Sequence, residues 1–179
     1  MKPTTPAAAT PRAKRVFVLG MLVLAIGVFA TPMLTTSAGN AQGAALKDET
    51  AKLGAPKIEG SDTVGGKDAP ALYFGSTKIN NNLTVVDEVA KEGGEGMAAT
   101  LFVKGGDECI RVATNVPNPD GSGRAIGTVL TGSALESIKA GKAYWGEVSV
   151  FNTPYIVGCE PIKDVSGAIV GAYFVGYKK

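Results

Sequence analysis

The chain reads as an α+β domain: a five-stranded, mostly antiparallel sheet with helices on one face. Three observations lead there. Apolar residues recur at helical spacing in two short segments before residue 92, and from Met97 on the period changes to two. Turn-forming runs, Gly105-Gly106-Asp107, Asn152-Thr153 and residues 163–167, then cut the second half into strand-length pieces. Finally, 179 residues, 45% of them hydrophobic and 19% charged, suffice for one core but not for two full-sized domains.

The first 41 residues form a compositional unit of their own. Lys2, Arg12, Lys14 and Arg15 precede an apolar run over 16–30, small residues follow through Ala41, and no Asp or Glu occurs before Asp48. A basic head, an apolar middle and a small-residue exit are the layout of an export signal. The run is shorter than the roughly 20 residues that a bilayer-crossing helix needs, which favours cleavage, after Ala41. The competing reading is an uncleaved anchor in the inner membrane over residues 16–34, with its basic end in the cytoplasm and the rest outside. Both readings export the domain, to the periplasm or beyond. Of the 18 basic side chains, the 14 outside this segment face 16 acidic ones, so the net charge of +2 becomes −2. The remaining chain has no Lys/Arg cluster apart from Lys178-Lys179, and a nucleic-acid partner is not expected.

Residues 42–69 read as a polar linker with one short helix over 45–53, where Leu46 and Leu53 share a face and Gly54 and Pro56 stop it. Residues 60–71 read as a loop and Asn80-Asn81-Asn82 as a turn. The domain proper is placed at 70–179. Val85, Val86, Val89 and Ala90 predict a helix over 84–91, with Asp87 and Glu88 suiting its first turn. Strands follow at 98–104 and 108–116 around the Gly105-Gly106-Asp107 hairpin. A loop rich in Pro and Gly leads to an extended piece at 125–130 and a short helix at 132–140, for which Ser133 is the expected cap. The last three strands fall at 143–151, 154–161 and 168–177.

The chain contains no histidine, which excludes the Ser-His-Asp triad, the Cys-His dyad, HExxH zinc chemistry and histidine-ligated haem. Gly121-Ser122-Gly123-Arg124 misses the dinucleotide-binding fingerprint, because the third glycine, Gly127, arrives one residue late and no βαβ unit surrounds it. Asn118-Pro119-Asp120-Gly121 lacks the ligand series of a calcium loop. The pairs Asp87-Glu88 and Asp107-Glu108 are expected to be solvated. No cofactor, metal site or enzymatic activity is expected.

Several motifs in succession resemble a known family. They are Phe74-Gly75, Asn80, Val86-Asp87, Ala99-Thr100-Leu101-Phe102-Val103, Ile110-Arg111-Val112-Ala113-Thr114-Asn115-Val116 and Gly127-Thr128. They continue through Gly141-Lys142-Ala143-Tyr144-Trp145-Gly146, Tyr155, Glu160-Pro161-Ile162-Lys163-Asp164 and the strand closing at Gly176. In order and spacing, over about residues 70–177, they resemble the single Cache domains, extracytoplasmic relatives of the PAS fold that serve as sensory modules of chemoreceptors and sensor kinases. The resemblance implies a PAS-like sheet of strand order 2-1-5-4-3 whose concave face and covering loops enclose a small-molecule pocket. Two departures stand out. Many single Cache domains begin with a long helix, whereas the segment here supports only a short one. Lys179 also follows directly on the last strand, so a sensory role calls for a membrane signalling partner, or else the protein is a free binding module.

Arg111 lies in a strand with apolar neighbours on both faces, so its guanidinium either snorkels at a sheet edge, discouraging aggregation, or points into a pocket, where it could hold a carboxylate through two parallel hydrogen bonds. The resemblance favours the pocket, because this arginine falls on a characteristic position of the family motif. Tyr144, Trp145 and Tyr155 are the aromatic candidates, as pocket walls with one polar tip each or as plain core rings. Tyr144 and Trp145 are adjacent in a strand, so at most one of them can line a given pocket. Cys109 and Cys159 are the only cysteines. In the family's strand order their strands lie three places apart, roughly 14 Å, whereas a disulfide needs Cα atoms within about 7 Å; both are therefore expected as buried, unbonded thiols. The function expected is an exported sensory module that binds a small organic carboxylate through Arg111, Tyr144, Trp145 and Tyr155 and passes the signal to a partner by population shift. The alternative is a structural or assembly protein of the cell envelope that keeps the fold without a ligand.

Overall fold

Turn chemistry sets where the chain reverses, and side-chain period sets which face each strand buries. The computed structural model describes Met1 and residues 32–179, with side chains from Gln42 onward; the apolar run at 16–30 lies outside the described residues. Helix α1 (Pro32–Leu53) comes first and is 22 residues long, far more than the short helix expected over 45–53. Proline at its first position costs no hydrogen bond. Ahead of Leu46 the helix is built mainly of Ala, Gly, Ser and Thr, which form no apolar stripe, so periodicity does not reveal this part. Gly43 is buried where a Cβ would lie 3.5 Å from Val175 and 3.8 Å from Trp145, and its small size sets how closely the helix lies on the sheet.

Residues 60–71, expected as a loop, instead belong to a hairpin. Strands β1 (Pro56–Val64) and β2 (Lys67–Phe74) pair antiparallel from Pro56↔Phe74 to Val64↔Lys67. Their turn is Gly65-Gly66, with φ of 57° and 78°, the backbone that a two-residue hairpin demands. β1 is the outer strand and keeps most of its side chains in solvent. No apolar alternation is therefore written into it, and its Ser, Asp, Thr and Glu look like loop. Strand β3 (Thr77–Lys78) completes a three-stranded sheet of order β1-β2-β3. Asn80 is buried, donating from Nδ2 to the Pro70 carbonyl (3.0 Å) and accepting from the Leu72 N–H (2.9 Å), which fixes the turn into helix α2 (Thr84–Gly93).

The main sheet comprises β4 (Met97–Gly105), β5 (Glu108–Thr114), β6 (Tyr144–Val150), β7 (Thr153–Lys163) and β8 (Ile169–Lys178), with helix α3 (Gly132–Lys139) between β5 and β6. The order is β5-β4-β8-β7-β6 and every pairing is antiparallel. Counted within this sheet it is 2-1-5-4-3, the order the resemblance implies, and the α+β, PAS-like class holds. The helices do not share one face as expected but divide between the two, α1 and α2 on one and α3 on the other. Met97, Ala99, Leu101 and Val103 of β4 share a core with Leu46 of α1, Val64, Leu72 and Phe74 of the hairpin and Val86 and Val89 of α2. Ala98 and Phe102 point the other way, into a second core with Ala134 and Ile138 of α3, Val150, Val157, Cys159 and Phe174. The chain must cross from the β5 edge to the β6 edge, and because α1, α2 and the hairpin already cover the first face, α3 crosses the second. Thr131, not Ser133, holds the cap position of α3, and it makes no side-chain hydrogen bond. The extended piece at 125–130 forms one isolated bridge instead of a strand, Val129 to Ile110, and a second bridge, Arg124 to Pro117, lies just ahead of it.

Candidate functional site

Arg111 is paired with Phe102 across β5 and β4, so the strand register alone sends it to the α3 face. Its side chain is only 5% exposed. Nη1 donates to Thr128 Oγ1 (2.7 Å), and that hydroxyl in turn donates to the Ala125 carbonyl (2.7 Å). The guanidinium lies over the Phe102 ring, 5.2 Å from its centroid, with the Phe151 ring on another side at 6.0 Å. Nε is buried without a hydrogen-bond partner among the described residues. Burial, which disfavours the charged form, pulls the Arg111 pKa down to about 10, with Tyr155 acting weakly the other way.

Around this group lies a cavity of about 170 Å³, lined by Arg111, the segment from Thr128 to Thr131, the end of β6 from Val148 to Val150, the turn residue Phe151, and Phe174. Arg111 and Phe151 stand at opposite edges of the five-stranded sheet, so the sheet must curl for their side chains to meet, and the cavity occupies the concave side. One wall is the 128–131 segment. It is clamped to the β5 edge by Arg111 N–H to Thr128 O (2.8 Å), Gly127 N–H to Arg111 O (2.9 Å) and Leu130 N–H to Cys109 O (2.9 Å). The hairpin braces the same wall: a Cβ on Gly127 would lie 2.8 Å from Gly65 Cα and 2.9 Å from Val64 O. Upstream, Arg124 forks onto Asp87 of α2, Nη2 to Oδ2 at 3.1 Å and Nη1 to Oδ1, and donates to the Thr114 carbonyl at 2.9 Å, fixing the loop between β5 and the wall.

Among the four residues singled out in the sequence, Arg111 lines the cavity. Tyr155 lies half-buried on the same face, packed against the second core and close enough to act on the Arg111 charge, but it is not a cavity wall. Tyr144 is on that face too, with its hydroxyl turned back along its own strand to the Glu147 carbonyl (2.9 Å). Trp145 is on the opposite face, 42% exposed, its ring laid over Gly158 so closely that a Cβ there would fall 2.0 Å from Cζ3. The arginine and one tyrosine are thus brought near each other, and the tryptophan is not.

Sequence reasoning missed Thr128 and Phe151. Thr128 figures in the sequence only through the Gly127-Thr128 motif of the resemblance, which assigns it no contact. Phe151 carries a signal of its own: the strand expected over 143–151 ends at Val150, and the two-residue turn closed by Val150↔Thr153 is Phe151-Asn152, one residue earlier than Asn152-Thr153. An aromatic standing where Asn or Gly is usual is the visible anomaly. Cys109 and Cys159 are free and buried on strands three places apart; burial raises both thiol pKa values, that of Cys159 far above the ordinary range. Among the described residues no three Cys, Asp or Glu side chains converge as a metal cluster would require, and no helix is long and apolar enough to cross a membrane.

The family model of the Cache 3/Cache 2 fusion domain matches residues 37–179, which takes in most of α1 and the hairpin as well as the span that carries the motif resemblance. No curated protein matches the chain.

Proposed function

The chain belongs to the Cache family of extracytoplasmic, ligand-binding sensory domains, and on that footing we propose that it recognises a small organic monocarboxylate at Arg111 and relays its presence to a membrane signalling partner. The observation that carries this reading is the unpartnered, buried Nε of Arg111 beside a cavity. A buried cation without an anion costs free energy that a bound carboxylate would recover. Thr128 occupies Nη1, which leaves the Nε edge of the guanidinium for a carboxylate. Among the described residues Arg111 is the only charged one in the lining, so a second carboxylate would enter unpaired; this favours a single acid group. Val148, Val150, Leu130 and Phe174 suit a short apolar remainder, and Thr128, Thr131 and Ser149 can serve a hydroxyl or keto oxygen. A cavity of about 150 Å³ holds a benzene-sized molecule, so the 170 Å³ here suits acids of about four to seven non-hydrogen atoms. Tyr155 acts as a flanking group, and any part for Tyr144 or Trp145 in binding is indirect.

A thermal-shift screen with acetate, propionate, pyruvate, lactate and amino acids tests the reading. An acid present at 100 times its dissociation constant adds about 2.7 kcal/mol of stability, and Arg111→Ala abolishes the response. If no acid shifts the melting, or if Arg111→Ala responds like the wild type, the carboxylate site is refuted and the alternative of an envelope protein with an unused pocket gains. The proposal places the domain outside the inner membrane, released by cleavage after Ala41. N-terminal sequencing of protein recovered from the envelope should then begin at Gln42; an intact Met1 would establish the anchor instead.

A further inference from the structure

The β6–β7 turn is built from residues that fit it unequally. Phe151 and Asn152 are its two central residues, with φ of 50° and 62°. Asn accepts this left-handed backbone readily; a bulky aromatic residue does so at a cost and is rarely found there. Such strain persists where something holds it in place. Here the Phe151 ring lies 6.0 Å from the Arg111 guanidinium and forms part of the cavity lining, yet the residue is 41% exposed. It therefore straddles the boundary between cavity and solvent. The ring nearer the guanidinium, Phe102, is fully buried in the middle of the sheet and packed edge-on to Phe174 at 6.1 Å, so it is fixed. The cation lies against one immovable ring and one ring carried on a surface turn.

We propose that Phe151 is the gate of the Arg111 cavity and sets the length of ligand that it admits; the inference rests on the carboxylate reading of that site. The strained turn aims the ring across the guanidinium, where the attraction between cation and ring face holds it when the cavity is empty. An anion approaching Nε displaces the ring, and the ring closes again over a ligand short enough to fit behind it. A longer acyl chain would keep it open.

Two variants test this, Phe151→Gly and Phe151→Asn, both suited to a positive φ, measured in the full chain. The ligand-independent readout is the rate at which phenylglyoxal labels Arg111, followed by mass spectrometry, with Arg124 as the internal reference because it is tied to Asp87 instead. Removing the ring is expected to speed Arg111 labelling by about tenfold, the population shift that loss of one desolvated cation–ring contact produces. Arg124 labelling and the melting temperature of the free protein should not worsen. In the thermal-shift assay the variants should respond to hexanoate as well as propionate, whereas the wild type responds to propionate alone. Unchanged Arg111 labelling in both variants overturns the gate. So does equal acceleration at Arg124, which would mean general loosening. Selective acceleration in a protein that responds to no acid overturns the carboxylate reading while leaving the gate over the guanidinium standing.

Discussion

Arg111 holds a charge at 5% exposure with no carboxylate acting on it, and the cost falls on the stability of the free protein. The sign follows from linkage. The unfolded chain holds this proton more tightly than the folded one, so a charged Arg111 weakens the fold at every pH below about 10, and the penalty fades as pH rises through that value. The depressed pKa corresponds to about 3 kcal/mol at neutral pH, against which the Thr128 hydrogen bond and the Phe102 contact each return about 1 kcal/mol. Arg111→Met, similar in volume and uncharged, should therefore stabilise the free protein by about 1 kcal/mol at pH 7, and its advantage over wild type should shrink above pH 10 in denaturant titrations. Carboxylate affinity should follow the same proton, flat from about pH 6 to 9 and falling above 10. The two thiols give an independent check on burial: Cys109 is 1% and Cys159 0% exposed, and burial raises the pKa of each, so neither should react with iodoacetamide until the protein is unfolded.

At the level of elements, the cavity depends on segments that do not line it. Gly127, at φ 83°, lets the 128–131 wall meet the hairpin turn backbone to backbone. Gly127→Ala would place a methyl group against Gly65 and Val64 in a backbone region that alanine avoids, and should cost about 2 kcal/mol and weaken ligand binding along with it. In Gly171→Ala the new Cβ would lie 2.1 Å from the Phe102 carbonyl oxygen, on the central β4–β8 pairing; a loss beyond about 3 kcal/mol is expected by thermal melting. The same elements mark how far the sequence could be read. The strands from β4 to β8 were legible because Leu101, Phe102 and Val103, or Val170 through Val175, are apolar enough to declare themselves. β1 was not, since an outer strand facing water carries loop-like side chains, although the Gly65-Gly66 pair was its visible marker. The N-terminal half of α1 was hidden for a different reason: its Thr, Ser, Ala, Gly and Asn residues write no apolar period into the sequence. At the site, Arg111 stood out because a cation in an apolar strand is anomalous, while Trp145 looked equally suitable and lies on the other face. Local pattern told Tyr144 and Trp145 apart but could not say which of them faces the concave side.

For the whole molecule, the relevant fact is that the two faces of the main sheet hold separate cores. One contains α1, α2 and the hairpin, and the other contains α3 and the cavity. Leu46, Val64 and Ala69 are buried in the first, so a chain trimmed to residues 70–179 should expose that face and lose cooperative unfolding, while 42–179 should retain it; circular dichroism melts of the two would decide. This layout also suggests how a signal leaves. Phe174 of β8 lines the cavity on one face, and the adjacent Tyr173 on the other accepts or donates a hydrogen bond with Thr50 of α1 at 3.2 Å. β8 thus joins the cavity side directly to the N-terminal helix. Carboxylate binding at Arg111 is tested by a calorimetric titration of propionate into wild type and Arg111→Met at pH 7. Propionate should fill one site per chain in the wild type and give no heat of binding in the variant, which should melt at the same temperature or higher. Equal affinity in the two proteins would contradict binding at Arg111.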